Sequence, residues 1–250
     1  MPKKNKVVDM KNVVSLHGNN GISEKKTVES LTKEVNALKA EQKEFCEMAV
    51  RSILHALDCK DHYTYGHSMR VTYYSLVLGK EIGLDEEGLY DLEMASLFHD
   101  IGKIAVPDEV LCKPARLTEE EFIVMKSHPE KSAEILEGFK PFEQAAKYAR
   151  HHHERYDGRG YPDGMKGEEI PLFSRIILIA DTFDAMTSTR PYRKGLPYEV
   201  AFEELHEFSG SQFDPFLVEK FCEAMAREKN KNESTFTLSI IEGEFAKDAA

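Results

Sequence analysis

The 250-residue chain predicts an all-α fold, and three observations carry that prediction. Helix starts recur: Asp85 precedes EEGLYDLEMASLFH, Thr118 with Glu121 reads as a capping box, and Pro141, Pro197 and Pro215 suit first-turn positions. Period-two alternation of apolar and polar residues is almost absent. The ambiguous segment, SRIILIADTFDAM, places Ser174 as an N-cap and apolar residues at 176, 179, 180 and 183, which suits a buried helix better than a buried strand.

Taken in order, residues 1–44 are a polar, lysine-rich extension. Within it Val28, Leu31, Val35 and Leu38 stand three and four apart, the spacing of a two-heptad helical seam. Such a seam either packs on its own domain or pairs two subunits, so a homodimer through this helix is one expectation. Residues 45–227 read as helix after helix, and residues 228–250 as a polar tail interrupted by TLSII. Pro129 disfavours the α conformation at His128, so one helix should end near that histidine and the next begin at Pro129. The run HHHERYDGRGYPDG, residues 151–164, should end a helix on its histidines and continue as a loop through Gly158, Gly160 and Gly164.

The net charge of −11, from 33 basic and 44 acidic residues, argues against a broad surface for duplex nucleic acid. No apolar run approaches the roughly 18 residues of a membrane span, and the N-terminus lacks the apolar core of a signal peptide. A cytoplasmic protein without a membrane partner is expected. Cys46, Cys59, Cys112 and Cys222 form no CxxC pair, which argues against a zinc ribbon or disulfide framework and for reduced, mostly buried thiols.

His67, His99, Asp100, His128, His152, His153 and Asp181 are the residues that carry chemistry. His99 and Asp100 end the apolar run in MASLFHDIGK, where an ionisable pair is costly unless it is paired or bound to metal. Lys103, four residues after His99, leaves two readings open: an ion pair with Asp100 that caps the helix, or a cation beside a metal-binding carboxylate. Histidine and carboxylate without thiolate suit Fe, Mn, Ni or Zn. Five histidines and two aspartates exceed one tetrahedral site, whereas two metals sharing Asp100 would use them all. Paired metals about 3.5–4 Å apart are a recurring clamp for phosphoester hydrolysis.

Five blocks then carry a family resemblance: YTYGHSMRV (63–71), HDIGKIAVPDEVLCKPARLTEEE (99–121), HPEKSAEIL (128–136), HHERYDGRGYPDG (152–164) and IADTFDAMTSTRPYRKG (179–195). In this order the chain resembles an HD-GYP domain, the branch of HD metal-dependent phosphohydrolases associated with cyclic di-GMP breakdown, over roughly residues 45–227. The resemblance implies an HD-domain helical bundle with a GYP-loop extension. It implies that His67, His99, Asp100, His128, His152, His153 and Asp181 hold two divalent metals, Fe or Mn, with Asp100 bridging and Lys103 neutralising a phosphate oxygen. Gly160, Tyr161, Pro162, Arg190 and Arg193 match substrate-holding positions.

His151 has no role in that pattern and is expected on the solvent-facing end of the preceding helix. Some members carry Glu four residues before the first histidine, where it supports a third metal; here Tyr63, a poor ligand with a pKa near 10, implies two. The implied reaction is hydrolysis of the 3′-5′ phosphodiester of cyclic di-GMP to pGpG, and to GMP after a second cut, by a hydroxide shared between the metals. Its rivals are an HD phosphohydrolase of another nucleotide and a non-catalytic module that binds a cyclic dinucleotide.

Overall fold

The structure, a computed structural model, describes residues 27–38, 41, 48, 52, 53, 64–138, 140–189 and 194–230. The chain divides into two compact units, residues 1–49 and 50–250. In the first, residues 27–38 form helix α1, with Val28, Leu31, Val35 and Leu38 all exposed.

The second unit carries α2 (Thr64–Glu81), α3 (Glu86–Phe98), α4 (Asp108–Leu111), α5 (Glu119–Met125), α6 (His128–Glu137) and α7 (Glu143–Arg150). It continues with α8 (Leu172–Thr187), α9 (Tyr198–Glu207) and α10 (Pro215–Asn230). Short 3-10 turns occupy Ile101–Ala105, Lys140–Phe142 and Gly167–Glu169. No strand occurs among the described residues, where an isolated bridge joins Ser209 to Phe213. The all-α expectation holds.

Two helix starts follow their local signals. Asp85 accepts from Gly88 N at the head of α3, and Thr118 and Glu121 exchange both bonds of a capping box at α5. Others differ. Helix α8 starts two residues before Ser174, after the extended Pro171, because Leu172 and Phe173 pack on the core; the Ser174 hydroxyl donates instead to the Tyr148 carbonyl. Helix α6 begins at His128 itself, because Lys126 and Ser127 keep helical angles across the bend from α5. Pro215 opens α10 as expected, but Pro197 lies just before α9 and Pro141 sits in the 3-10 turn ahead of α7.

Helix α2 packs against α3, α8 and α10, and α7 closes the other side against α3 and α6. Their shared core includes Leu78, Leu92, Phe98, Ile176, Phe183 and Phe221, with the Phe183 ring edge-on to Tyr74 and Phe221 at 5.1 and 5.0 Å. Burying such side chains contributes on the order of 1.5–3 kcal/mol each before entropy is counted. Both visible thiols are free, but the expectation of burial fails: Cys112, which ends the short surface helix α4, is exposed, and Cys222 is half-buried. Cys46, Cys59, the TLSII segment, Tyr63, Arg190 and Arg193 lie outside the described residues.

One close approach sets the geometry of the site. Gly102 lies against the start of α6, where an added Cβ would stand 2.0 Å from the His128 carbonyl oxygen and 2.5 Å from Ser132 N. Its own N–H donates to Ser132 Oγ, and that hydroxyl donates to the His99 carbonyl oxygen. The end of α3 is thereby stapled to α6.

Candidate metal centre

Three helix ends, the first turn of α2 and the middle of α8 bring the seven sequence-derived residues together. His67 comes from α2, His99 and Asp100 from the end of α3, and His128 from the start of α6. His152 and His153 follow the end of α7, and Asp181 comes from α8. All are buried except His153 and Asp181, which are partly exposed.

The last turn of a helix leaves carbonyls without intrahelical partners, and three of the histidines use them. His99 Nδ1 donates to Ser96 O at 2.6 Å, His128 Nδ1 to Met125 O at 2.7 Å and His152 Nδ1 to Ala149 O at 2.6 Å. Acceptance by a carbonyl fixes the proton on Nδ1 and leaves Nε2 as the inward-facing donor atom. His67 achieves the same orientation with a carboxylate: its Nδ1 lies 2.7 Å from Asp184 Oδ2. Asp184, fully buried, is gripped in turn by Arg70 Nε at 2.6 Å and by the Ser188 hydroxyl at 2.9 Å.

Asp100 stands between two groups. Its Oδ1 is 3.2 Å from His128 Nε2 and 3.9 Å from His152 Nε2. Its Oδ2 is 3.3 Å from His99 Nε2, 3.7 Å from His67 Nε2 and 2.6 Å from Lys103 Nζ. On one side His67, His99 and Asp181 bring their ligand atoms within 4.8 Å of one another; on the other, His128, His152 and His153 do the same. Both readings of Lys103 are therefore compatible with its place: it pairs with Asp100, and it does so at the edge of the cluster. Helix α3 ends at Phe98, so this pairing comes from a 3-10 turn.

The electrostatics suit a divalent cation. Burial, aided by the neighbouring His128, pushes His153 down to about 3, and burial with His153 and His99 pushes His152 well below its ordinary value. Burial works against ionised Asp100, but Lys103 and the surrounding histidines outweigh it and hold the carboxyl well below the usual range. Asp181 is likewise depressed, with His67 overcoming burial. His152 and His153 are thus favoured as neutral imidazoles and Asp100 and Asp181 as ionised carboxylates, the states that metal coordination requires. His67 is the exception: Asp100, Asp181 and Asp184 overcome burial and raise it. His99 Nε2 is buried without a hydrogen-bond partner, an arrangement that bound metal would satisfy. The residues present fit divalent metal.

The loop after α7 covers one side. Glu154, buried, accepts on Oε1 from Asp163 N at 2.7 Å and Gly164 N at 3.0 Å, and on Oε2 from Met165 N at 3.1 Å. Gly158 and Gly164 take positive φ as anticipated, whereas Gly160 is required by contact: a Cβ would stand 2.3 Å from Arg155 N. Tyr161 N donates to His153 O at 3.2 Å, and its ring stacks on His153 at 4.9 Å between centroids. Burial and the charges of Asp100 and Asp181 push its phenol well above the ordinary value. Pro162 follows through a cis peptide bond. Gly160, Tyr161 and Pro162 are therefore beside the cluster, and the placement of Arg190 and Arg193 lies outside the described residues.

His151 departs from expectation. It is buried, with Nδ1 3.5 Å from Asp163 Oδ2 and 3.9 Å from Glu154 Oε1, because the turn of residues 151–153 folds it beneath the loop. Two further residues escaped the motif reading. Asp184 carried a signal, since it stands three residues after Asp181 on the same helix. Glu154 carried none beyond being an acid that follows three histidines.

A helical bundle enclosing a histidine–aspartate cluster, with a carboxylate shared between two groups of imidazoles, defines the class as an α-helical metal-site protein. The chain belongs to the HD domain family, whose model matches residues 51–217. It is 42% identical over 174 residues to the cyclic di-GMP phosphodiesterase response regulator RpfG of Xanthomonas campestris, covering 69% of this chain and 46% of RpfG. It is 43% identical over 175 residues to a cyclic di-GMP phosphodiesterase of Thermotoga maritima, covering 69% and 48% respectively. The HD-GYP resemblance is thus borne out, and the chain spans about half the length of these curated relatives. In fold it is similar to the crystal structure of V-cGAP3, a cyclic GMP-AMP specific phosphodiesterase of V. cholerae. That match has a TM-score of 0.56 and 23% identity over 81% of this chain and 52% of the other. No helix among the described residues is long and apolar enough to cross a membrane.

Proposed function

We propose that the protein is a metal-dependent phosphodiesterase that hydrolyses the 3′-5′ phosphodiester of cyclic di-GMP to pGpG, with GMP formed by a second cut. The observation that carries this reading is Asp100, with one oxygen toward His128 and His152 and the other toward His67 and His99. In this reading His67, His99 and Asp181 would hold one divalent ion and His128, His152 and His153 a second, with Asp100 beside both groups. Two such ions supply Lewis-acid stabilisation of the phosphoryl transition state and acidify water. Iron or manganese suits the nitrogen and oxygen donors.

The protein's own groups do the rest. Lys103, on Asp100 Oδ2, swings a short distance to a phosphate oxygen and offsets the charge that develops there. Tyr161, with Gly160 and Pro162, forms the wall on which the nucleotide lies, and Arg190 and Arg193, the positions that the family resemblance assigns to substrate, hold phosphate. The names of the relatives from Xanthomonas and Thermotoga support cyclic di-GMP as substrate. A second reading, cyclic GMP-AMP, has the name of V-cGAP3 in its favour.

Two assembly features belong to the same proposal. The exposed apolar stripe of α1 pairs two copies, and sedimentation of the wild type beside Leu31→Glu tests it. A cytoplasmic setting, expected from cysteines that form no CxxC pair, belongs to it as well.

The deciding experiment joins metal analysis to turnover. Protein purified without oxygen is expected to hold two metals per chain and to release pGpG faster from cyclic di-GMP than product from cyclic GMP-AMP. A metal-loaded sample that binds cyclic di-GMP and leaves it intact would overturn the enzyme; faster cleavage of cyclic GMP-AMP would change the substrate.

A further inference from the structure

Lys126 ends α5 on the bend that leads, two residues later, to His128. It is half-buried, and its ammonium lies 4.7 Å from the Phe122 ring centroid and 5.4 Å from that of Tyr161. Tyr161 is the ring stacked on His153. A single aromatic side chain therefore separates this cation from the metal cluster.

Its electrostatic setting differs from that of the lysines that pair with acids. Lys103, Lys113, Lys131, Lys220 and Lys229 each rest against a carboxylate, namely Asp100, Glu121, Glu134, Glu223 and Glu199. Lys126 rests against two rings instead. A cation–π contact at a partly open position is weaker than a charge-assisted hydrogen bond to a phosphate oxygen, so an arriving phosphate takes the ammonium from the rings. The stem packed on Phe122 keeps the ammonium at the rim, and a compact ammonium with three donors accepts phosphate from many angles.

A macrocyclic dinucleotide has two phosphates on opposite sides of its ring. When the scissile one lies at the metal cluster beside Lys103, the other lies outward, where a cation at the rim adds to the hold of Arg190 and Arg193 on phosphate. We propose that Lys126 binds this second, non-scissile phosphate and so sets the preference for a two-phosphate macrocycle over a simple diester. The assignment rests on the phosphodiesterase reading and adds a specificity-determining residue to it.

The test uses the whole metal-loaded chain as wild type, Lys126→Met and Lys126→Arg. Substrates are cyclic di-GMP and the single diester bis-p-nitrophenyl phosphate, and a phosphorothioate analogue of cyclic di-GMP is titrated by calorimetry. In Lys126→Met, KM for cyclic di-GMP and Kd for the analogue should both rise about tenfold, the loss of one charge-assisted contact. The kcat should stay within about twofold, since a uniform binding contact is removed. Metal content should hold, the salt dependence of KM should flatten, and Lys126→Arg should restore most of the affinity.

If Lys126 only braces α5, Lys126→Met lowers the melting temperature and leaves KM and Kd alone; that result overturns the proposal. Equal losses of kcat/KM on both substrates also overturn it. A wild type that cleaves the simple diester but no cyclic dinucleotide sinks the functional reading and this assignment together. A wild type that cleaves cyclic di-GMP beside an unaltered Met variant sinks the assignment alone.

Discussion

The helical wall of the metal centre and the loop of residues 154–165 meet at one cluster but are held there by different forces. The wall rests on the apolar core of α2, α3, α7 and α8, and its histidines are oriented by carbonyls that the helices expose at their ends. Many contacts share that task. The loop buries little apolar surface of its own and depends on one carboxylate, Glu154, for three backbone N–H groups. Redundancy therefore lets the wall lose a ligand and stay folded, while in the loop the backbone of residues 163–165 converges on one buried side chain.

The largest effect should come from the wall. Asp100→Ala removes the carboxylate shared by both groups, so turnover should fall below detection and metal content well below two per chain. Helical circular dichroism should stay near wild type, because the core beneath is untouched. Near-normal turnover with two metals bound would show that Asp100 does not join the groups.

Next in size is Asp184→Asn, which leaves every inward-facing atom in place but weakens the hold on His67. Partners that orient ligands typically contribute about 10–100-fold in metal affinity or activity, and a loss in that range is expected on metal titration. A variant that binds metal as tightly as wild type would mean that α2 alone aims His67.

The loop side is tested by Glu154→Ala. Leaving buried N–H groups unpaired costs about 1–3 kcal/mol each, though water entering the cavity recovers some of it. Stability should fall by about 2–4 kcal/mol and KM should rise, with metal content kept. If metals are lost as completely as in Asp100→Ala, the two regions are one cooperative unit and the contrast drawn between them fails.

The smallest effect should be Tyr161→Ala, which removes one stacked ring worth about 1–3 kcal/mol to a bound base. A raised KM with little change in kcat is expected from steady-state kinetics. A kcat that falls more steeply than KM rises would move Tyr161 from binding to the chemical step.

What could be read in advance follows the same division. Helix caps are local, so Asp85, Thr118 and Glu121 were legible, and the gathered histidines and aspartates were legible through their motif blocks. Tertiary contacts were not. Ser174 looked like a cap because hydroxyls cap helices, yet its partner is the Tyr148 carbonyl on another helix. His151 looked like a helix-end residue because nothing local shows the loop folding over it. Asp184 meets His67 from 117 residues away, a distance at which spacing carries no information.

Gly102 has a practical meaning for anyone redesigning the centre. A Cβ there would need to push back the His128 carbonyl from 2.0 Å, and with it the start of the helix that aims the His128 ring at Asp100. The spacing between the two halves of the cluster is thus adjustable from outside the ligand set. Even Ala at this position is expected to displace the start of α6, because the atoms it would meet are all backbone, so the site would change while every coordinating side chain keeps its identity.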